Sequence, residues 1–261
     1  MTSPILLTGG TGTLGRLVVP RLRDAGYDVR VLSRSNHESQ DGIDYLVGDL
    51  LNGSGLDLAL EGAETVLHLA GGRKGDDEAT RNLVRAAKRA RVQHLVYISV
   101  IGADRVPVSW FRSKLAAERA VADSGLPWTT LRAAQFHDLV LTVVQKMARL
   151  PVVPIPGGLR FQPVDASEVA DRLVELTLAQ PAGLVPDLAG PNVHGMADLV
   201  GTYLRVRGRR RMTMPVRMPG KAGRAYRAGE NLSREGAALG TRSWTDFLAG
   251  RSEADAVRFS G

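Results

Sequence analysis

The chain has 261 residues, of which 44% are hydrophobic and 23% are charged, a balance that is typical of globular proteins and excludes disordered and fibrous classes. It contains no cysteine, which excludes disulfides, thiolate metal sites and cysteine nucleophiles and favours a reducing compartment. The net charge of +7 is concentrated at one end: residues 201–261 hold 13 Lys and Arg against 5 Asp and Glu (+8), and the first 200 hold 21 against 22 (−1).

No export signal or membrane segment is expected. The first residues run into the short apolar stretch Ile5–Leu7 without a basic region or a cleavage site. Every apolar run is broken by charge, Gly or Pro before the roughly 18 residues that a membrane span needs. We therefore expect a cytoplasmic protein without a membrane partner.

Strand-like and helix-like segments alternate along the first 135 residues. The predicted strands are Ile5–Thr8, Asp28–Ser33, Asp44–Val47, Thr65–Leu69, His94–Ser99 and Trp128–Arg132. The predicted helices run from about Leu14 to a stop at Gly26, then over Leu56–Leu60, Glu78–Ala90 and Ser109–Ser124. This alternation predicts an α/β fold with a doubly wound parallel Rossmann sheet.

The pattern loosens after Phe136. A helix to about Leu150, a Pro-rich stretch, a helix begun by Asp165 or Ser167 and an Arg-rich segment follow. We expect residues 1–135 to form the Rossmann domain. Residues 136–261 are expected to form a small C-terminal substrate-capping region that completes the same compact unit. The Arg-rich segment Arg205–Arg211 carries no nucleic-acid reading motif, so a solvated surface is expected and no nucleic-acid partner.

A glycine-rich loop, TGGTGTLG, follows the first strand and opens the first helix. Its glycines fit both the G-x-G-x-x-G and the G-x-x-G-x-x-G spacing. Glycine lets the backbone turn tightly and approach a pyrophosphate, whose charge is bound by amides at the helix N-terminus. The loop predicts a dinucleotide site, with a plain glycine-rich turn as the alternative. The predicted cofactor-binding residues in it are Gly9, Thr11, Gly12, Thr13, Leu14 and Gly15.

The end of the second strand indicates which dinucleotide is bound. NAD-binding units carry an Asp or Glu at that place, where it binds the ribose 2′-hydroxyl. Here the strand ends in Ser33 and Arg34. A guanidinium pairs with a 2′-phosphate, whereas a carboxylate would repel it. Arg34 therefore predicts NADP(H) as cofactor; the alternatives are that it stacks on adenine or points to solvent.

Several short segments then occur in the order known from one family: TGGTGTLG, VLSR, GDL at 48–50, HLAG at 68–71, SKLAAE at 113–118 and SGLPWTTLRAAQFHD at 124–138. The chain resembles the atypical short-chain dehydrogenase/reductases, particularly the NmrA-like NAD(P)-binding proteins. The resemblance implies that Asp49 and Leu50 border the adenine and that Ala70 and Gly71 border the nicotinamide ribose. It also implies that Ser99 ends the strand that supplies the catalytic serine.

The catalytic motif of that family is changed in this chain. Its Tyr-x-x-x-Lys pair uses the tyrosine as proton donor and the lysine to bind the ribose. Here Trp110 stands four residues before Lys114, and an indole N–H cannot donate a proton near neutral pH. Lys114 is predicted to bind the ribose, with an i,i+4 ion pair to Glu118 as the alternative. Ser99 is either catalytic or an ordinary polar residue at a strand end.

His137 follows the last Rossmann strand, a place that faces the substrate cleft in the family that this chain resembles. His137 is therefore a candidate for the missing acid. His68 and His94 lie in or beside strands and are expected to be structural. No pair of histidines has a metal-ligand spacing, so no metal site is predicted.

Two functions remain open at this point. The first is an NADP(H)-dependent oxidoreductase that transfers a hydride to a small-molecule substrate, namely a quinone, an enone or an activated carbonyl, since such substrates need less acid assistance than simple ketones. The second is a non-catalytic NmrA-like regulatory protein that senses NADP(H). The reductase is the main hypothesis and the sensor its alternative, which the missing tyrosine favours.

Overall fold

The computed structural model describes residues 3–39, 42–72 and 75–259, with side chains in the last helix described to residue 251. Strands β1 to β13 are Ile5–Thr8, Val29–Ser33, Ile43–Val47, Thr65–His68, His94–Val100, Trp128–Ala133, Val152–Pro156, Arg160–Phe161, Gly183–Leu184, Leu188–Ala189, His194–Gly195, Met212–Val216 and Ala238–Leu239. Helices α1 to α9 are Gly15–Asp24, Leu56–Leu60, Asp76–Arg89, Ser109–Ala122, His137–Met147, Ala166–Leu178, Met196–Val206, Gly220–Ala228 and Trp244–Phe259. Within these ranges no helix combines the length and the hydropathy that crossing a membrane requires.

The chain divides into two compact units. Unit 1 comprises residues 1–104, 109–132 and 166–186, and unit 2 comprises residues 105–108, 133–165 and 187–261. The sequence predicts one boundary, at residue 135. The structure instead assigns α6 and β9 to unit 1, because α6 packs beside α1. An ion pair of 2.6 Å between Arg21 Nε and Asp171 Oδ1 joins these two helices.

Unit 1 is built on a parallel sheet with the strand order β3-β2-β1-β4-β5-β6. β1 pairs in parallel with β2 and β4, as do β2 with β3 and β4 with β5. This is the order of the Rossmann fold, in which the chain leaves β1 and β4 in opposite directions and opens a crevice at their carboxyl ends. The predicted α/β fold is confirmed.

Burial explains why these segments form a two-sided sheet. Every residue of β1 and of β5 is buried, as in a strand covered on both faces by helices. Helix α3 buries Leu83, Val84 and Ala87 along one face, and this face joins the same apolar core as the sheet. The packing fixes the carboxyl ends of β1 and β4, where the candidate site lies.

Unit 2 has its own core, formed by α5, β7, α7 and the start of α9. Trp244 is its largest fully buried side chain and donates from Nε1 to the carbonyl oxygen of Leu199 at 3.2 Å. The Pro-rich stretch forms β7, which pairs in parallel with β12. The sequence does not predict this pair, because prolines remove donors from a strand and hide its alternation.

Candidate functional site

A cleft of about 530 Å³ opens in unit 1 beside the carboxyl ends of β1, β2, β3 and β4. It brings together most of the residues that the sequence analysis selected, namely Gly9, Thr11, Gly12, Arg34, Asp49, Leu50, Ala70 and Gly71. It is also lined by residues that were not selected, namely Leu32, Ser33, Ser35, His37, Gly48, Leu51, Leu69, Gly72, Gly75, Asp76 and Ala79. The cleft lies where the Rossmann fold binds nucleotides.

The glycine-rich loop needs glycine for two different reasons. A Cβ at Gly9 (φ +75°) would lie 2.7 Å from Ala70 N, and a Cβ at Gly15 would lie 2.3 Å from Gly9 O. The backbone therefore leaves no room for a side chain at either position. At Gly12 the nearest atom to such a Cβ is Gly9 O at 3.3 Å, and the position otherwise opens toward the cleft. The fold therefore demands Gly9 and Gly15, whereas Gly12 leaves room for a ligand.

Helix α1 begins directly behind this loop. Leu14 and Gly15 are buried at its start, and Thr13 is exposed. These three predicted binding residues are not part of the cleft lining. They place the first amides of α1 at the loop, where a helix N-terminus attracts an anion.

Arg34 lies at the end of β2, exposed on the cleft wall. No carboxylate among the described residues forms an ion pair with it. Ser33, Ser35 and His37 line the same stretch of the cleft, so this end of it is polar and basic. Such a wall can pair with a phosphate group.

The loop Gly48–Leu50 lines the cleft beside the end of β2, where the amide of Gly48 donates to the carbonyl oxygen of Ser33 at 2.9 Å. Asp49 Oδ1 accepts a hydrogen bond of 2.9 Å from the amide of Leu51, so the carboxylate stabilises the turn in which it lies. Asn82 on α3 donates to the carbonyl oxygens of Leu50 and Leu51 at 2.8 and 2.7 Å. Leu50 is thus positioned from α3, and Asp49 by its own turn.

A buried network fixes the loop after β4. His68 lies between two hydroxyls, with Nδ1 2.7 Å from Thr8 Oγ1 and Nε2 2.9 Å from Thr80 Oγ1. Burial, and then the charge of Lys114, lowers the pKa of His68 to about 3, so its ring is neutral. Thr8 Oγ1 also accepts a hydrogen bond of 3.3 Å from the amide of Ala70. The structural role expected for His68 agrees with these contacts.

Lys114 is buried beneath the same loop. Its Nζ lies 3.0 Å from Asp76 Oδ2 and 3.4 Å from the hydroxyl of Tyr97, and a Cβ added at Gly71 would lie 3.0 Å from it. The alternative pair with Glu118 is not formed, since Glu118 binds Arg132 through two hydrogen bonds of 2.9 and 2.6 Å. The ammonium therefore sits directly behind the cleft wall at Gly71.

Trp110, four residues before Lys114, is a hydrogen-bonded indole. Trp110 Nε1 donates to the carbonyl oxygen of Gly72 at 3.0 Å, next to the cleft-lining loop. The phenol of Tyr97 cannot reach a substrate in the cleft, because its side chain is fully buried. Burial, and then the charges of Asp76 and Glu118, raises the pKa of Tyr97 well above its usual value. No phenol near Lys114 is thus available to a substrate in the described residues.

Ser99 and His137 are both buried. Ser99 is buried on β5, and its hydroxyl has no hydrogen-bond partner among the described residues. His137 is buried in unit 2, where Nε2 lies 3.1 Å from the carbonyl oxygen of Arg242 and the ring stacks on Phe247. Burial lowers the pKa of His137 despite that bond. These contacts argue against the role of proton donor, which stays an untested prediction.

Two residues of the site escaped the sequence analysis. Asp76 and Tyr97 meet Lys114 through the packing of α3 and β5 against α4, and no spacing rule links them in sequence. The acidic start of α3, GDDE, was the one available signal for Asp76. Among the described residues, no group of three or more His, Asp or Glu side chains could hold a metal ion.

Comparison with known proteins places this geometry in a family. Residues 9–176, which include all of the cleft, match the family model described as NAD(P)H-binding. A (4-alkanoyl-5-oxo-2,5-dihydrofuran-3-yl)methyl phosphate reductase from Streptomyces griseus is 32% identical over 213 residues, 78% of this chain and 74% of that protein. The photosystem II assembly factor Ycf39 of Synechocystis is 30% identical over 145 residues, 51% of this chain and 44% of that protein.

Solved structures show the same fold. An NADPH-dependent quinone oxidoreductase from Escherichia coli, in complex with NADPH, has a TM-score of 0.82 at 20% identity, covering 95% of this chain and 99% of that one. A nucleoside-diphosphate-sugar epimerase from Staphylococcus aureus has a TM-score of 0.80 at 19% identity, covering 94% and 99%. The family model covers more than half of the chain, and the chain therefore belongs to the NAD(P)H-binding family.

Proposed function

We propose that this protein is an NADPH-dependent reductase of a quinone, an enone or an activated carbonyl compound, within the NmrA-like group of atypical short-chain dehydrogenase/reductases. The observation that carries the proposal is the cleft itself. It joins an open glycine at Gly12, a guanidinium at Arg34 that no carboxylate of the described residues pairs with, and a buried ammonium behind Gly71.

The residues present fit such a dinucleotide. The open position at Gly12 and the first amides of α1 suit the pyrophosphate, and Arg34 suits the 2′-phosphate. Asp49 and Leu50 are assigned to the adenine, and Ala70, Gly71 and Lys114 to the nicotinamide ribose. When bound, the cofactor supplies a hydride.

The choice of substrate class follows from the residue at 110. Reduction of a simple ketone is assisted by a proton donor at the carbonyl oxygen, typically worth about 10²–10⁴-fold. The indole N–H of Trp110 is a weak acid and is already bound to Gly72 O. Conjugated substrates spread the negative charge that a hydride brings, so a hydrogen-bond donor can stabilise it without full proton transfer. The catalytic role of Ser99 stays a proposal, since its hydroxyl has no partner among the described residues but is buried and does not line the cleft.

Two relatives support this substrate class. The name of the Streptomyces reductase describes a ring double bond conjugated to a ring carbonyl and to an alkanoyl group. The Escherichia coli protein of the same fold is a quinone oxidoreductase. Both substrates are activated toward hydride without a strong acid, which agrees with a site that lacks tyrosine at 110.

The second candidate function is a non-catalytic NADP(H) sensor. The observation that favours it is Trp110, which removes the usual proton donor and packs edge-on against Phe111 at a ring distance of 5.0 Å. A sensor would bind NADPH in the same cleft and turn over none of these substrates.

The two candidates are separated by NADPH oxidation at 340 nm with a panel of quinones, enones and simple ketones. The reductase predicts turnover of quinones or enones well above ketones. Binding of NADPH without oxidation across the panel would contradict the reductase and favour the sensor. The control is Gly12→Val, which should remove any true activity because it blocks the cleft.

A further inference from the structure

We propose that Asp76 is a positioning residue, which holds both Lys114 and the cleft-lining loop Ala70–Gly72 in the geometry that receives the nicotinamide ribose. This inference rests on the proposed binding of NADPH in the cleft. It assigns a role to a buried carboxylate that no motif of the sequence selects.

The contacts of Asp76 run in two directions. Oδ1 accepts a hydrogen bond of 2.5 Å from the amide of Gly72, and Oδ2 lies 3.0 Å from Lys114 Nζ. The side chains of Asp76 and Lys114 are only 4% and 8% exposed. One carboxylate therefore ties the loop after β4 to the lysine on α4.

Burial makes this arrangement rigid. A charged amine removed from water needs a counter-charge, and Asp76 provides it, because the other nearby group, the Tyr97 hydroxyl, keeps its proton. The bond to Gly72 fixes the carboxylate in turn. Lys114 is thereby held against Gly71 at a place where its remaining N–H donors can meet a ribose hydroxyl.

Electrostatics alone predicts that removal of Asp76 changes the affinity for NADPH in the direction opposite to a positioning role. A carboxylate in the wall of a cleft that receives phosphates repels them, so its removal should tighten binding. A positioning role predicts that its removal weakens binding. The sign of the change therefore distinguishes the two effects.

The neighbouring residue Asp77 is a matched control. It lies in the same first turn of α3, and its carboxylate binds Arg81 and Ser113 at 2.9 Å each, away from the cleft lining. Asp77→Asn removes the same charge from the same helix end and leaves the Lys114 contacts in place. It measures the long-range electrostatic effect alone.

The experiment compares two ligands by calorimetry with wild type, Asp76→Asn, Asp77→Asn, Lys114→Ala and the double variant Asp76→Asn/Lys114→Ala. The ligands are NADPH and adenosine 2′,5′-bisphosphate, which lacks the nicotinamide half. We expect Asp76→Asn to weaken NADPH binding by at least about tenfold, because one hydrogen bond to a charged group contributes on this scale. Its binding of the bisphosphate should change by less than about threefold, as should both affinities of Asp77→Asn.

The double variant tests whether Asp76 acts through Lys114. We expect it to bind NADPH within about threefold of Lys114→Ala, because interacting residues are not additive. If the loss of NADPH affinity in the double variant equals the product of the losses in the two single variants, the inference is overturned. It is also overturned if Asp76→Asn binds NADPH as tightly as wild type, or if it loses affinity equally for both ligands.

Folding is monitored by thermal melting. If Asp76→Asn does not fold, Asp76→Glu replaces it, because it keeps the charge and displaces the carboxylate by one methylene. Asp76→Glu should show the same selective loss of affinity for NADPH. Wild-type protein that binds neither ligand would refute the proposed function itself, which is a different outcome from failure of the positioning role.

Discussion

Replacement of Gly12 by valine should abolish dinucleotide binding while the protein stays folded. The backbone of Gly12 does not adopt a positive φ, so a side chain causes no conformational strain there. A Cβ would meet only Gly9 O, at 3.3 Å, which a shift of a few tenths of an ångström relieves. The rest of the side chain would project into the cleft, where the pyrophosphate is expected.

The expected magnitudes differ widely between folding and binding. Relief of one tight contact costs about 1 kcal/mol or less, which lowers the melting temperature of a chain of this size by about 2–4 °C. Exclusion of the pyrophosphate removes several charge-assisted hydrogen bonds of about 1.5–3 kcal/mol each. NADPH affinity should therefore fall by more than about 100-fold, which corresponds to 2.7 kcal/mol.

Two further glycines serve as controls. Gly201 lies in α7 with nothing within 4 Å of an added Cβ, so Gly201→Val should leave NADPH binding unchanged. Gly15→Val should fail to fold, because its Cβ would lie 2.3 Å from Gly9 O. Fluorescence titration and thermal melting measure both properties. A folded Gly12→Val that binds NADPH like wild type would show that the loop is only a turn.

The remaining predictions concern three side chains. The pKa of His68 is lowered from 6.5 to about 3, so the unfolded state takes up a proton first and stability is lost as pH falls from 6.5 toward 3. Urea unfolding should therefore show a loss of about 2 kcal/mol at pH 5 that is absent in His68→Gln; equal pH dependence of the two would contradict it. If the protein is a reductase, Trp110→Phe should keep most of its turnover of quinones or enones, and a hundredfold loss with intact NADPH affinity would show that Trp110 takes part in the chemistry. Lys114→Ala should weaken NADPH binding and lower turnover together, and unchanged values of both would remove the ribose assignment.

The parts of the site that sequence predicts are those that local chemistry determines. The glycine-rich loop and the residue at the end of β2 follow from backbone needs and charge within a single βαβ unit, and the structure places Gly9, Gly12 and Arg34 in one cleft. Strand and helix positions in unit 1 follow from apolar periodicity in the same way.

The parts that sequence did not predict depend on packing between distant segments. The i,i+4 rule offered Glu118 as the partner of Lys114, but α3 brings Asp76 to the lysine and Arg132 takes Glu118. Helix α6 was expected in the capping region, yet its buried face packs in unit 1. Such pairings arise from tertiary contacts that no local pattern records.

The central claim is that the cleft binds NADPH with Arg34 on its 2′-phosphate. Titration of wild type with NADPH and with NADH, followed by fluorescence at constant salt, tests it most directly. We predict at least about tenfold tighter binding of NADPH, since the guanidinium–phosphate pair should contribute more than about 1.4 kcal/mol, and a shift toward NADH in Arg34→Asp. Equal affinities of wild type for the two dinucleotides would contradict the assignment.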